Sequence, residues 1–158
     1  IFTTVGTNKK KKFCKSLGVH NVYNYKETDF FDEIKKIEKR GIDIILDYIG
    51  GDYINKNINL LKSDGKLINI GFLNGSQVSI NLMKIMLKRL TITGSTLRIR
   101  DKTYKAKILH DLKKIVFPNF ENGKIKCYID SVFKLKDVVS SHKYLEGGGH
   151  IGKIVIEI

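Results

Sequence analysis

The residues best suited to hold an anion lie near the start of the chain, in Val5-Gly6-Thr7-Asn8-Lys9-Lys10. A short β-branched run ends at Gly6, a threonine hydroxyl follows, and lysines come next with no acid among them. Lysine holds phosphate as a point charge, and a threonine hydroxyl adds a short hydrogen bond. The same residues read equally well as a solvated helix face with surplus lysines. A second candidate is Asp43 to Gly51, DIILDYIGG, a nearly continuous apolar run around one carboxylate, Asp47, closed by a glycine pair. A strand covered on both faces reads in this way. Gly50 and Gly51 let the backbone turn without a Cβ penalty. Ligands of open α/β sheets lie just past the carboxyl ends of the strands, which puts Ile49 and Gly50 where a ligand would sit. An ordinary scaffold strand would carry the same pattern.

Other chemistry is missing from the sequence. His20, His110, His142 and His150 are scattered, and no serine sits in a G-x-S-x-G elbow. Cys14 and Cys127 form no CxxC pair, so no metal site is expected, and the two thiols suit a reduced, cytoplasmic protein. The dinucleotide fingerprint G-x-G-x-x-G does not occur. Gly147-Gly148-Gly149 follows a helix instead of opening one, which makes it a helix-ending turn. No catalytic acid, base or nucleophile is assigned.

These candidates need a scaffold, and 158 residues suffice for one with a real core. At 42% hydrophobic and 28% charged residues the chain is globular in composition. No apolar run reaches the roughly 18 residues of a membrane helix, and Ile1 to Val5 carries no basic leader, so neither a membrane span nor a signal peptide is expected. The formal charge of +13 attracts anions in general. A nucleic-acid-binding module is a weaker alternative, because no aromatic residues are interleaved with the lysines for base stacking. The chain begins mid-strand at Ile1, as a piece of a longer polypeptide would.

Apolar spacing and turn signals predict strands at Ile1 to Val5, Val22 to Tyr25, Asp43 to Ile49, Lys66 to Ile70 and Leu90 to Gly94. Between them lie helices at Thr7 to Leu17, after Asp29, from Asp52 to Leu61, and from Asn81 to Lys88 with Leu82, Ile85 and Met86 inward. This alternation is the signature of a parallel α/β sheet with helices on both faces. Beyond Gly94 come a longer helix, Asp101 to Phe117, ended or kinked by Pro118, a strand at Ile125 to Val132, a helix at Leu135 to Leu145 and a strand at Lys153 to Ile158.

The segments VGTNKKKKFCKSLG, ILDYIGG, LKSDGKLINIGFLNG, LKRLTITGSTLRIRDKTYK and HKYLEGGGHIGKIVIEI run in register with a known family. They resemble the zinc-independent, zeta-crystallin-like quinone oxidoreductases of the medium-chain dehydrogenase/reductase superfamily. The resemblance spans essentially the whole chain. It implies an α/β fold: a Rossmann-like doubly wound parallel sheet lacking its first strand, in a partial NADP(H)-binding domain (1–124). A strand-helix-strand tail (125–158) would complete a GroES-like catalytic domain found elsewhere in the parent.

The resemblance further implies that Thr7, Lys10 and Tyr25 meet the adenosine 2′-phosphate of NADPH. Ile49 and Gly50 would line the adenine and ribose pocket, and Phe72 and Leu73 the nicotinamide half. Thr96, Leu97 and Arg98 would form the loop at the nicotinamide end. The parent enzyme would reduce quinones or activated enones, and the Leu90–Gly94 edge strand would pair two subunits into a homodimer. Reduction of an enoyl thioester by a member of the same superfamily is the alternative activity.

Overall fold

The computed structural model describes Ile1–Ile158, which fall into two compact units, Ile1–Ile99 and Arg100–Ile158. In the first unit, β1 (Phe2–Val5) leads to Thr7, whose Oγ1 accepts from the Lys10 amide at 3.2 Å and starts α1 (Asn8–Ser16). A threonine oxygen satisfies one of the amides that every helix start leaves without an internal partner. β2 (Asn21–Asn24) pairs in parallel with β1, from Phe2↔Asn21 to Val5↔Asn24. Asp29 takes the same capping role for α2 (Phe30–Ile37), accepting from the Phe31 amide at 2.9 Å.

β3 (Ile42–Asp47), α3 (Tyr53–Leu60), β4 (Leu61–Asn69), α4 (Leu82–Lys88) and β5 (Thr91–Gly94) complete the unit. The three strands form a parallel ladder in the order β3-β4-β5. The Ser63-Asp64-Gly65 turn lies within β4 as an irregularity, since Ile42 pairs with Leu61 but Ile44 with Lys66. Asp64 and Arg89, the two non-glycine residues with positive φ, hold one another through a bidentate pair at 2.8 Å.

Two apolar clusters bind helices to strands. Ile54 and Ile58 of α3 pack with Leu61, Leu67 and Leu90, while Phe30 and Ile34 of α2 pack with Tyr23 and Leu60. Each such side chain taken wholly out of water contributes roughly 2 kcal/mol before entropy is counted. The face of β3 bearing Ile44 and Leu46 is different, with these residues 59% and 61% exposed. Within this unit the sheet is therefore covered on one face there, not on both as the apolar run implies.

α4 also departs from expectation. Ile85 packs against the core, but Leu82 and Met86 are 68% and 67% exposed. The stripe turned inward contains Ile85 and Lys88, because the carbonyls at the end of α3 need donors. Lys88 Nζ donates to Leu61 O at 2.7 Å and Asn59 O at 3.0 Å. These bonds satisfy carbonyls that the helix end leaves without partners.

In the second unit Asp101 caps α5 (Lys102–Ile115), accepting from the Tyr104 amide at 2.7 Å. α6 (Phe117–Glu121) restarts the helix with Pro118 in its first turn, where a missing amide costs nothing. β6 (Ile129–Lys134) and β7 (Lys153–Glu157) pair in parallel across α7 (Val138–Glu146). β6 starts at Ile129, later than the expected Ile125. The Asp130 carboxylate ties this unit together, accepting from Tyr144 Oη at 2.8 Å and the Ile151 amide at 2.7 Å.

Asp29 gives the fold a pH signature. Lys56 Nζ of α3 donates to it at 2.7 Å, and this bond holds the Asp29 carboxyl below the usual carboxylate range. A depressed folded-state value contributes stability that is complete above the unfolded value, near pH 4, and is lost as pH falls through the folded value. The pair is well exposed, so its worth is at most about 1 kcal/mol. Asp29→Asn should therefore lower stability slightly at pH 7, with the gap to the native chain closing below about pH 4. Denaturant melts at several pH values would read this; a gap that does not change with pH would refute it.

Candidate functional site

The turn after β3 is built by one carboxylate. Asp47, 3% exposed, accepts from the Ile49 amide at 2.7 Å and the Gly50 amide at 3.3 Å through one oxygen. Its other oxygen accepts from Asn57 Nδ2 of α3 at 3.2 Å, and Asn57 is itself 4% exposed. An aspartate bonding amides two and three residues ahead forms a local turn that competes with strand continuation. Here it ends β3 and aims Ile49 and Gly50 away from the ladder. Asp52 occupies the N-cap position of α3 but makes no side-chain cap bond. The first amides of that helix, Tyr53 and Ile54, donate to the Gly50 and Gly51 carbonyls at 3.1 Å.

The loop after β4 is fastened to this turn by backbone bonds. Ile70 N donates to Asp47 O at 2.8 Å, Leu73 N to Tyr48 O at 3.1 Å, Asn74 N to Ile49 O at 2.7 Å, and Gly51 N to Gly75 O at 2.9 Å. Ile49 and Gly50 are thus brought directly against Phe72 and Leu73. The closeness demands glycine: Gly50 has φ +71°, and a Cβ there would lie 2.5 Å from Gly75 O and 2.8 Å from the Phe72 ring. Phe72 is 47% and Leu73 80% exposed, leaving both free to meet a ligand.

Thr96 joins Phe72 on a shallow groove of about 470 Å³ at the ends of β4 and β5, which also includes Asn69. Asn69 Oδ1 is buried there with no hydrogen-bond partner. A buried acceptor left unpaired costs on the order of 1–3 kcal/mol, and a ligand donor in the groove would recover it. Leu97 and Arg98 do not line this groove; Leu97 is 54% exposed and Arg98 exposed in the loop beyond it.

Thr7, Lys10 and Tyr25 gather at the ends of β1 and β2. The Tyr25 hydroxyl lies against Gly6, where a Cβ would come within 2.7 Å of it. Thr7 caps α1, whose first turn holds no acid. Glu27 lies close by, accepting from Asn8 Nδ2 at 2.7 Å. Tyr53 links this group to the β3 turn: its hydroxyl bonds Thr4, and its own pKa is raised by burial and then by neighbouring Tyr25. Asp47 and Tyr53 are the residues of this candidate site to which the sequence alone assigns no role. The Asp-x-Ile-Gly spacing was a usable signal for the first, and nothing local distinguishes the second. No group of three or more His, Cys, Asp and Glu side chains could hold a metal, and both cysteines are free.

A parallel α/β unit with loops gathered at its strand ends is the kind of scaffold on which ligand clefts form, and comparison gives its family. Residues 17–156 match the family model described as zinc-binding dehydrogenase, so the chain belongs to that family, within the medium-chain dehydrogenase/reductase superfamily. It is 30% identical over 158 residues to human quinone oxidoreductase, covering 99% of this chain and 46% of that protein. It is 27% identical over 172 residues to the zebrafish (Danio rerio) synaptic vesicle membrane protein VAT-1 homolog, covering 99% of this chain and 35% of the relative. Among solved structures, the CurF ER cyclopropanase from the curacin A biosynthetic pathway is 30% identical with a TM-score of 0.78, covering 98% of this chain and 46% of that one. The chain thus spans less than half the length of these relatives. No helix is long and apolar enough to cross a membrane.

The Asp47 knot carries a stability prediction. Asp47→Ala strands the Ile49 and Gly50 amides and Asn57 Nδ2, and should cost about 3 kcal/mol. Asp47→Asn should cost less, because its Oδ1 can still accept from the turn. Equal melting temperatures for Asp47→Ala and the native chain would show that the turn holds itself.

Proposed function

We propose that this chain is the cofactor-binding portion of an NADPH-dependent oxidoreductase whose parent enzyme reduces quinones or activated enones. The observation that carries the reading is the start of α1, whose own first turn holds no acid and where Glu27 is engaged by Asn8, with Thr7, Lys10 and Tyr25 at the ends of β1 and β2. A helix N-terminus combines unpaired amides with a positive dipole end, and is suited to phosphate. Thr7 accepts from the Lys10 amide yet keeps its hydroxyl proton for a phosphate oxygen. Lys10 adds a point charge, and the closely set Tyr25 hydroxyl a further donor. Gly6 and Gly50 fit the same purpose, since a Cβ at either would fill space now used for close approach.

In this reading Ile49 and Gly50 line the adenosine half, and Phe72 and Leu73 the nicotinamide half. Thr96, Leu97 and Arg98 close the nicotinamide end. NADPH, when bound, supplies a hydride from its nicotinamide ring. The residues present here bind, orient and shield; none holds or moves a proton, and acid–base groups belong to the rest of the parent. Human quinone oxidoreductase, at 30% identity, supports a quinone as acceptor. Residues 125–158 would complete a GroES-like catalytic domain. The β5 edge, which ends its ladder and is exposed, would pair two subunits. In this reading the parent is a cytoplasmic enzyme of the zinc-independent branch.

Lys10→Glu in the parent enzyme should weaken NADPH binding about 10- to 100-fold, the worth of one charged hydrogen bond, and barely alter NADH. Tyr25→Ala should act in the same direction, more weakly. Titration of each variant with both cofactors reads this; equal losses for NADPH and NADH would mean that Lys10 is only surface charge. A substrate panel settles the acceptor, with faster turnover of an enoyl thioester than of a quinone overturning the quinone reading.

A further inference from the structure

A run of hydrogen bonds with a fixed direction joins the loop after β2 to the first turn of α1. The Lys26 amide donates to Asn24 Oδ1 at 3.2 Å, and Asn24 Nδ2 donates to Asn8 Oδ1 at 3.3 Å. Asn8 Nδ2 then donates to Glu27 Oε1 at 2.7 Å. A backbone amide can only donate, and an ionised carboxylate can only accept. The two side-chain amides between them are therefore fixed in orientation, because flipping either would set like groups against each other. Asn24 is 3% exposed, and its backbone carbonyl accepts from the Glu27 and Thr28 amides at 3.0 Å. The run thus starts from an immobile base. Asn8, by contrast, is exposed at the first position of α1 and is the link that this helix contributes.

What the run restrains is an acid beside a cationic helix start. The dipole of a helix favours any anion at its first turn, and Lys9 and Lys10 add positive charge there. The first turn of α1 supplies no acid of its own to occupy that end. Glu27 is exposed, so a loose Glu27 side chain would be an internal competitor for the anion that the turn is suited to bind. Asn8 takes one of its oxygens and gives the carboxylate a fixed place. The loop that carries Glu27 also carries Tyr25, whose amide donates to Val5 O at 3.1 Å.

We infer that Asn8 is a positioning residue for cofactor selection: it restrains the Glu27 carboxylate so that the start of α1 stays available to a 2′-phosphate. The inference rests on the NADPH reading above, and adds to it the acid that opposes the phosphate and the side chain that holds that acid. Asparagine suits the role. Aspartate would still accept from Asn24 but would meet Glu27 with a second acceptor, and alanine would lose both bonds.

The test measures dissociation constants of NADPH and NADH for the full-length parent at low salt, with Asn8→Ala, Glu27→Gln and the double variant. Asn8→Ala should lower the preference for NADPH over NADH at least about threefold, the scale of one exposed charge nearby, and leave NADH affinity within about twofold of native. That loss should shrink as salt rises. Glu27→Gln should keep the preference or raise it, since glutamine still accepts from Asn8 and carries no charge. The double variant should regain at least the native preference, because the loosened side chain is no longer an anion. A merely structural clasp would weaken both cofactors together, and Glu27→Gln would not rescue it. An equal loss for both cofactors, or a double variant as impaired as Asn8→Ala, would therefore overturn the inference. A native preference untouched by Asn8→Ala would overturn the inference alone, whereas a native enzyme without preference for NADPH would overturn the cofactor reading and this inference with it.

Discussion

One buried carboxylate governs the geometry on which a ligand would lie. Asp47 sits at the last position of a strand, where a charge without partners would cost several kcal/mol. It is tolerated because three donors converge on it: two turn amides and the Asn57 side chain. Those bonds end β3, send the chain through two left-handed glycines and start α3. Backbone bonds from the β4 loop then fasten onto the same turn. Because the loops are stitched to each other through main-chain atoms, their relative position does not depend on which side chains a ligand would touch. Removing the carboxylate would loosen the β3 turn and the β4 loop together.

The other governing constraint is a gap. Helices α2 and α3 hold β1 and β3 at a distance without pairing them, and leave an open lane of about 730 Å³ between the two strands. The phosphate-binding candidates lie on one side of that lane and the two stitched loops on the other. The Phe30, Ile34 and Tyr53 floor, the Tyr53–Thr4 bond and the Lys56–Asp29 pair connect them.

Much of this was legible from residue types. Thr28 or Asp29 and Asp52 read as helix caps: Asp29 accepts the Phe31 amide as expected, but Asp52 makes no side-chain cap bond, while Thr7, Asn81 and Asp101 cap their helices as well. The alternation of strands and helices follows the apolar spacing, and all pairings are parallel. What spacing could not give was decided by tertiary demands. Leu82 and Met86 looked inward by period, yet Lys88 won the inner stripe because the end of α3 needed donors. Ile44 and Leu46 read as buried on both faces, but apolar content records what a strand is made to be covered by, not what this unit supplies. The knot around Asp47 needed Asn57, ten positions away and visible only once α3 folds back.

The central claim is that the start of α1 receives a ribose 2′-phosphate. The most direct measurement is calorimetric titration of the full-length parent with adenosine 2′,5′-bisphosphate and with adenosine 5′-monophosphate, at low and moderate salt. Binding at least tenfold tighter for the bisphosphate, with the advantage shrinking as salt rises, is the expected result. Equal affinity for the two ligands would contradict it.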